Sequence, residues 1–140
     1  MREEHLNVRV FLDTNIVAAY LFEEKNRFDI AYRVIKSSTA RGISIITIHE
    51  LYNLALRLGV ADRFNEAKRL IEKAFKVHPL SQEACLKATE LRHRYRLPEV
   101  DALILATAIA NGYTKFYTFD KDFQSLHSTV IEGTEVIYLE

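Results

Sequence analysis

Cysteine, proline and glycine are all scarce in this 140-residue chain, at one, two and four residues. A lone thiol, Cys85, cannot close an intrachain bridge, which excludes a disulfide-stapled scaffold and makes a reducing cytoplasm the expected compartment. With so little Pro and Gly there is no linker, repeat or low-complexity tract, and one domain over residues 1–140 is expected. No apolar run approaches the roughly 18 residues of a membrane span. The N-terminal MREEHLNVRV carries acidic residues and lacks the apolar stretch of an export signal. A charge surplus is missing too, since 19 Lys and Arg offset 19 Asp and Glu. Any attraction to RNA must therefore be local.

What is present is an ordinary globular balance, 49% hydrophobic and 27% charged, in a chain long enough to bury a core. VRVFL (8–12) is a short β-branched and aromatic run, the form of a strand buried on both faces, and a helix follows from about residue 15. NRFDIAYRVIKSSTARG puts Ile30, Val34 and Ile35 on one helical face and reaches Gly42, read as its C-cap. ISII (43–46) predicts a second strand, and helices are expected over 48–58, closed by Gly59, and over 62–76. VHPL (77–80) predicts a third strand, and Ser81 is a good N-cap for a helix to about residue 96.

Pro98 suits the first turn of EVDALILATAIANG, which Asn111 and Gly112 close. That helix is apolar on nearly every face and should be buried. KFYTF (115–119) is a fourth strand, 121–126 a short helix, and EVIYL (135–139) a fifth strand. Strands alternating with helices imply right-handed parallel crossovers. The expected class is α/β, a three-layer α/β/α sandwich around a mainly parallel sheet of about five strands. Ligands in such sheets collect at the carboxyl ends of the strands.

That rule singles out four acids. Asp13 directly follows the first strand, Glu50 comes shortly after the second, and Asp120 directly follows the fourth. Asp101 lies in the first turn of the apolar helix, where an acid is an odd choice. Each has a local explanation: Thr47 and Glu50 form a T-x-x-E capping box, Asp13 and Asp120 suit turns or N-caps, and Asp101 complements a helix dipole. Caps, however, need no common location. Two carboxylates about 4 Å apart repel by roughly 4 kcal/mol at an effective dielectric near 20, so a four-acid cluster calls for a cation. Hard oxygen donors without a His/Cys set suit Mg²⁺ or Mn²⁺.

FLDTN (11–15), Glu50 in TIHELYNLA, VDALILATAIANG (100–112) and TFDKDF (118–123) together resemble the PIN-domain ribonucleases, and the short chain resembles the toxins of VapBC pairs. The resemblance runs from about residue 8 to 139. It implies that Asp13, Glu50, Asp101 and Asp120 are catalytic acids that bind one or two Mg²⁺ or Mn²⁺ ions, with Asp122 as a possible fifth ligand. Asp13 and Asp101 would be the shared inner ligands, and Glu50 would alternatively position the attacking water. Asn15, Thr118 and Thr14 would orient carboxylates or water beside them. The implied reaction is metal-dependent hydrolysis of single-stranded or loop RNA, leaving a 5′-phosphate. The implied partners are a cognate antitoxin and a second copy of the chain in a homodimer, with surfaces drawn from the apolar and aromatic residues of 20–35 and 52–75.

Substrate contacts are fainter. RHRYR (92–96) is the densest basic run, with Arg92 and Arg96 on one helical face and Arg94 elsewhere. His49 beside Glu50 is a candidate phosphate contact. Phe116, Tyr117 and Phe119 read as core rather than base-stacking rings, and Cys85 as packing beside Ala88 and Thr89. Other classes fit less well. An aspartyl-phosphate receiver needs paired acids near the first strand and a Lys after the last, which here ends in YLE. A haloacid-dehalogenase-type phosphatase needs D-x-D where this chain has Asp13-Thr14-Asn15. Two alternatives share the fold: an RNA-processing nuclease outside a toxin pair, and a non-catalytic binding module.

Overall fold

Alternation within one short strand divides the core in two. In β1 (Arg9–Leu12), Phe11 packs on one face of the sheet, whereas Val10 and Leu12 pack on the other. Adjacent side chains leave a strand on opposite faces, so an all-apolar run serves two layers at once. This computed structural model describes residues 8–140, and the reading of the first seven residues as lacking an export signal lies outside them.

The chain continues through α1 (Thr14–Leu21), α2 (Phe28–Lys36), β2 (Ala40–Ser44), α3 (Ile45–Arg57), a 3₁₀ turn (Ala61–Arg63) and α4 (Phe64–Ala74). Then come β3 (Lys76–His78), α5 (Gln82–Tyr95), α6 (Glu99–Ala110), β4 (Lys115–Thr118), a second 3₁₀ turn (Lys121–Leu126), β5 (Val130–Ile131) and β6 (Thr134–Tyr138). The sheet order is β3-β2-β1-β4-β6-β5, parallel throughout except for the antiparallel β5–β6 edge. α5 and α6 cover the Phe11 face, with Ala88, Leu91, Ile104, Leu105, Phe116 and Val136 in its core. α1, α2, α3 and α4 contribute Ile16, Ile35, Leu51 and Ile71 to the opposite core, with Val10, Leu12 and Ile43. The three-layer α/β/α sandwich is therefore as expected. Among the described residues no helix is long and apolar enough to cross a membrane.

Caps set many of the boundaries. Ser81 Oγ accepts from Ala84 N at 3.1 Å and starts α5, and Gly59 and Gly112 close their helices in left-handed conformations. Six strands replace the five expected, because the two-residue β5 forms a hairpin with β6 through Glu132 and Gly133. Gly42 does not cap a helix: α2 stops at Lys36, and Gly42 lies within β2, paired with Phe11 and Lys76. Its reason is a close approach, since a Cβ there would collide with the ring and hydroxyl of Tyr113. Correspondingly, residues 45 and 46 belong to α3, not to the second strand. Phe116 and Phe119 are core, as read, but Cys85 is exposed, just off the Ala84–Ala88–Leu91 stripe that α5 buries.

Candidate active site

The register Leu12↔Tyr117 carries Asp13 to the carboxyl edge of the sheet beside Thr118, and Asp13 N extends the pairing to Tyr117 O at 3.0 Å. Asp13 then caps α1. Its Oδ1 accepts from Thr14 N at 2.8 Å and its Oδ2 from Thr118 Oγ1 at 2.8 Å. Thr118 Oγ1 also accepts from Asp120 N at 2.9 Å, which ties the two acid-bearing segments together. Asn15 fastens the same corner, accepting from Phe119 N at 3.1 Å and reaching Thr118 Oγ1 with its amide nitrogen at 3.4 Å. Asp120 Oδ1 in turn caps the following 3₁₀ turn by accepting from Asp122 N at 2.9 Å. The local capping roles of Asp13 and Asp120 are thus real, and they coexist with convergence.

Asp101 arrives from the first turn of α6, behind Pro98. One carboxylate oxygen from each of Asp13, Asp101 and Asp120 lies within 4.8 Å of the others. Burial and mutual repulsion act together here. Asp13, 4% exposed, is pushed up to about 7, chiefly by burial, opposed by the Thr118 and Thr14 hydrogen bonds and reinforced by Glu50 and Asp120. Asp101 is pushed up to about 8 by burial and by the charges of Asp13, Asp120 and Asp122.

Glu50 stands beside this trio, outside its tightest group. It does not form the capping box: the N-cap of α3 is Ser44, whose Oγ accepts from Ile46 N at 3.0 Å, so Thr47 already lies within the helix. Glu50 Oε1 instead accepts from Thr14 Oγ1 at 2.5 Å, and Thr14 Oγ1 is 2.9 Å from Thr47 Oγ1. A hydroxyl has one proton, so Thr47 donates to Thr14 and Thr14 to Glu50. Thr47, fully buried, is the member of this set that capping logic concealed. Its usable signal was its place one turn before Glu50 on the same helix face.

Asp122 is exposed but close enough to Asp101 to raise its pKa, and His49 is exposed on α3. Arg92 and Arg96 lie apart from the acids, lining a separate concavity with Thr89, His93 and Leu97. A groove of about 370 Å³, lined by Leu21, Phe22, Leu51, Phe64 and Leu70 with Glu23, Arg63 and Glu66 among them, holds no group of three convergent acids. Among the described residues the converging acids lie at the carboxyl edge of the sheet.

The donor set fits a divalent cation. Three hard oxygens converge, and ligands opposite one another across such an ion stand roughly 4–5 Å apart, twice its metal–oxygen distance. Asp13 holds only one hydrogen bond per carboxylate oxygen, which leaves a lone pair free on each.

No curated protein matches the sequence at a significant level. Solved structures do match. One is a toxin–antitoxin complex from Klebsiella pneumoniae, 28% identical with a TM-score of 0.68 over 89% of this chain and 94% of that one. VapC20 of Mycobacterium tuberculosis, a sarcin–ricin-loop-cleaving toxin, is 22% identical with a TM-score of 0.70 over 88% and 97%. VapBC2 from Rickettsia felis, bound to a promoter DNA fragment, is 18% identical with a TM-score of 0.69 over 95% and 100%. The sequence itself matches the PIN domain over residues 10–127, and the chain belongs to the PIN-domain family.

Proposed function

We propose that this chain is a divalent-metal-dependent endoribonuclease and the toxin of a toxin–antitoxin pair. The observation that carries the reading is the meeting of Asp13, Asp101 and Asp120 from three separate segments of the chain. Asp13, Asp101 and Asp120 would hold Mg²⁺ or Mn²⁺, as one ion or two, with Glu50 and Asp122 at the margin. When bound, the metal neutralises these acids and lowers the pKa of a coordinated water for in-line attack on a phosphodiester.

The chain's own residues do the rest. Thr118 and Thr14 N fix the Asp13 carboxylate and leave each of its oxygens a free lone pair. Asn15 locks the Phe119 backbone, which holds Asp120 in place. Glu50, oriented by the Thr47–Thr14 hydroxyl chain, keeps a second carboxylate oxygen to position water or take up its proton. Hydrolysis of the P–O3′ bond leaves a 3′-hydroxyl and a 5′-phosphate.

The toxin assignment draws on the Klebsiella pneumoniae, VapBC2 and VapC20 structures. The antitoxin and homodimer surfaces implied by the family have material here. Tyr32, Tyr52, Leu56, Leu58 and Leu70 are exposed, and the groove runs between α1 and α4.

The test is to incubate purified protein with structured and unstructured RNAs in Mg²⁺, Mn²⁺ or chelator, beside Asp13→Asn. Cleavage that needs metal and Asp13 supports the reading. Metal-independent cleavage, or full activity in the variant, overturns it. A cognate small antitoxin encoded beside the chain separates a toxin from a processing nuclease.

A further inference from the structure

We infer that the concavity at the end of α5, formed by Thr89, Arg92, His93 and Arg96, is a phosphate-binding subsite for an RNA strand entering the acidic edge. The inference rests on the nuclease reading above and assigns the substrate's path to it. Thr89, Arg92 and His93 follow one stripe of α5, and Arg96 at its C-cap lines the same hollow. They line an open hollow of about 410 Å³ floored by the buried Leu97. Two guanidiniums and an imidazole on its wall suit phosphate oxygens, while the Thr89 hydroxyl donates to Cys85 O at 3.2 Å and only lines the hollow.

Location connects the hollow with the acids. Leu97 and Pro98 lead straight into α6, whose first turn carries Asp101. Asp101 is five residues beyond Arg96, and five residues span at most about 18 Å. One strand of a few nucleotides can therefore reach both. It also needs help to approach, because the acidic edge repels phosphate and the chain has no net positive charge.

The backbone at this corner is left-handed, as it also is at Glu23, Asn26, Ser128 and Glu132. Arg96 caps α5 in the left-handed conformation, φ 57° and ψ 36°, with its N–H bonded to Arg92 O at 2.8 Å. Glycine adopts this conformation without a Cβ penalty and is the usual residue here. Cations near a helix C-terminus also offset its dipole, which accounts for Arg92, His93 and Arg94 but does not require arginine at the strained position itself. Arg92 meets Glu99 at 3.4 Å, but both side chains are exposed, and solvent leaves such a pair easy to exchange for phosphate.

The test compares the wild type with Arg92→Gln/Arg96→Gly. Binding of a labelled single-stranded RNA is followed by anisotropy in chelator across a salt series. The double variant should weaken binding on the order of tenfold at low salt and flatten the log–log salt slope by about 1.4, two phosphates at about 0.7 each. Arg96→Gly alone should melt at or above the wild-type temperature, so lost binding cannot be blamed on lost fold. Unchanged affinity and slope in the double variant, or no RNA binding by the wild type, overturns the subsite. So does displacement of the RNA by an acidic peptide as readily as by competitor RNA, which would mark a protein-docking surface. A wild type that binds through these arginines but never cuts with Mg²⁺ or Mn²⁺ sinks the nuclease reading and leaves the subsite standing. A wild type that cuts, with variant binding unchanged, does the reverse.

Discussion

Two buried polar clusters flank the same sheet, and burial does opposite things in them. In one, His78 Nε2 and the Tyr113 hydroxyl are 2.5 Å apart, Arg9 lies 4.3 Å over the tyrosine ring, and Thr134 Oγ1 donates to Tyr113 O at 2.6 Å. Burial lowers the His78 pKa, helped by Lys76 and Arg9, and raises that of Tyr113, so both stay in the neutral forms that neutral pH favours. In the other, burial acts on Asp13 and Asp101, whose ordinary state at neutral pH is charged. The first cluster is finished and holds β1, β3, β6 and the start of β4 together. The second carries mutual repulsion that the proposed cation would relieve. Burial thus suits the neutral groups of the first cluster and works against the charged forms of the second.

The largest effect that sharpens this contrast is Asp13→Asn. Losing several kcal/mol of transition-state stabilisation should lower the cleavage rate about a thousandfold in a single-turnover assay. Asparagine caps a helix as well as aspartate. The metal-free melting temperature should therefore hold or rise, and a clear fall would break the contrast. Thr118→Val comes next. It unfastens one Asp13 oxygen and should cost about 10–100-fold in Mg²⁺ affinity or activity, read from a metal titration of the rate.

Tyr113→Phe belongs to the other cluster. It leaves His78 without its partner and should destabilise the fold by about 1–3 kcal/mol in a denaturant titration, with the rate at saturating metal unchanged. A rate loss there would show that the two clusters are coupled. A pH dependence tests the same contrast without a substitution. Asp13 and Asp101, at about 7 and 8 when folded against an ordinary 3.8, hold protons that the unfolded chain has already released. Stability in chelator should therefore fall as pH rises from about 4 to about 8. In thermal melts, Mg²⁺ should raise the midpoint more at pH 8 than at pH 5, and equal gains would contradict the assignment.

The acids were legible because buried parallel strands write themselves as short apolar runs with abrupt ends. Asp13 after VRVFL and Asp120 after KFYTF sit at those ends, and Asp101 interrupts an otherwise apolar helix. At Gly42 and Glu50 a distant partner misled. Gly42 looked like a helix stop, but its cause is Tyr113 crossing over it from far along the chain. Thr47 and Glu50 looked like a capping box, but Ser44 caps the helix, and Thr14 from another helix claims the carboxylate. The strand Val130–Ile131 left no trace, since two residues carry no periodicity and Val130 is exposed.

The sheet order places the first strand in the middle, between β2 and β4. Asp13 therefore waits for a hydroxyl 105 residues further along, on a strand that closes the other side. Contacts of such sequence separation form late, after a large loop has been drawn shut. A growing polypeptide can hold Asp13, Glu50 and Asp101 and still own no pocket, so whatever this edge does begins only when the sheet is nearly whole.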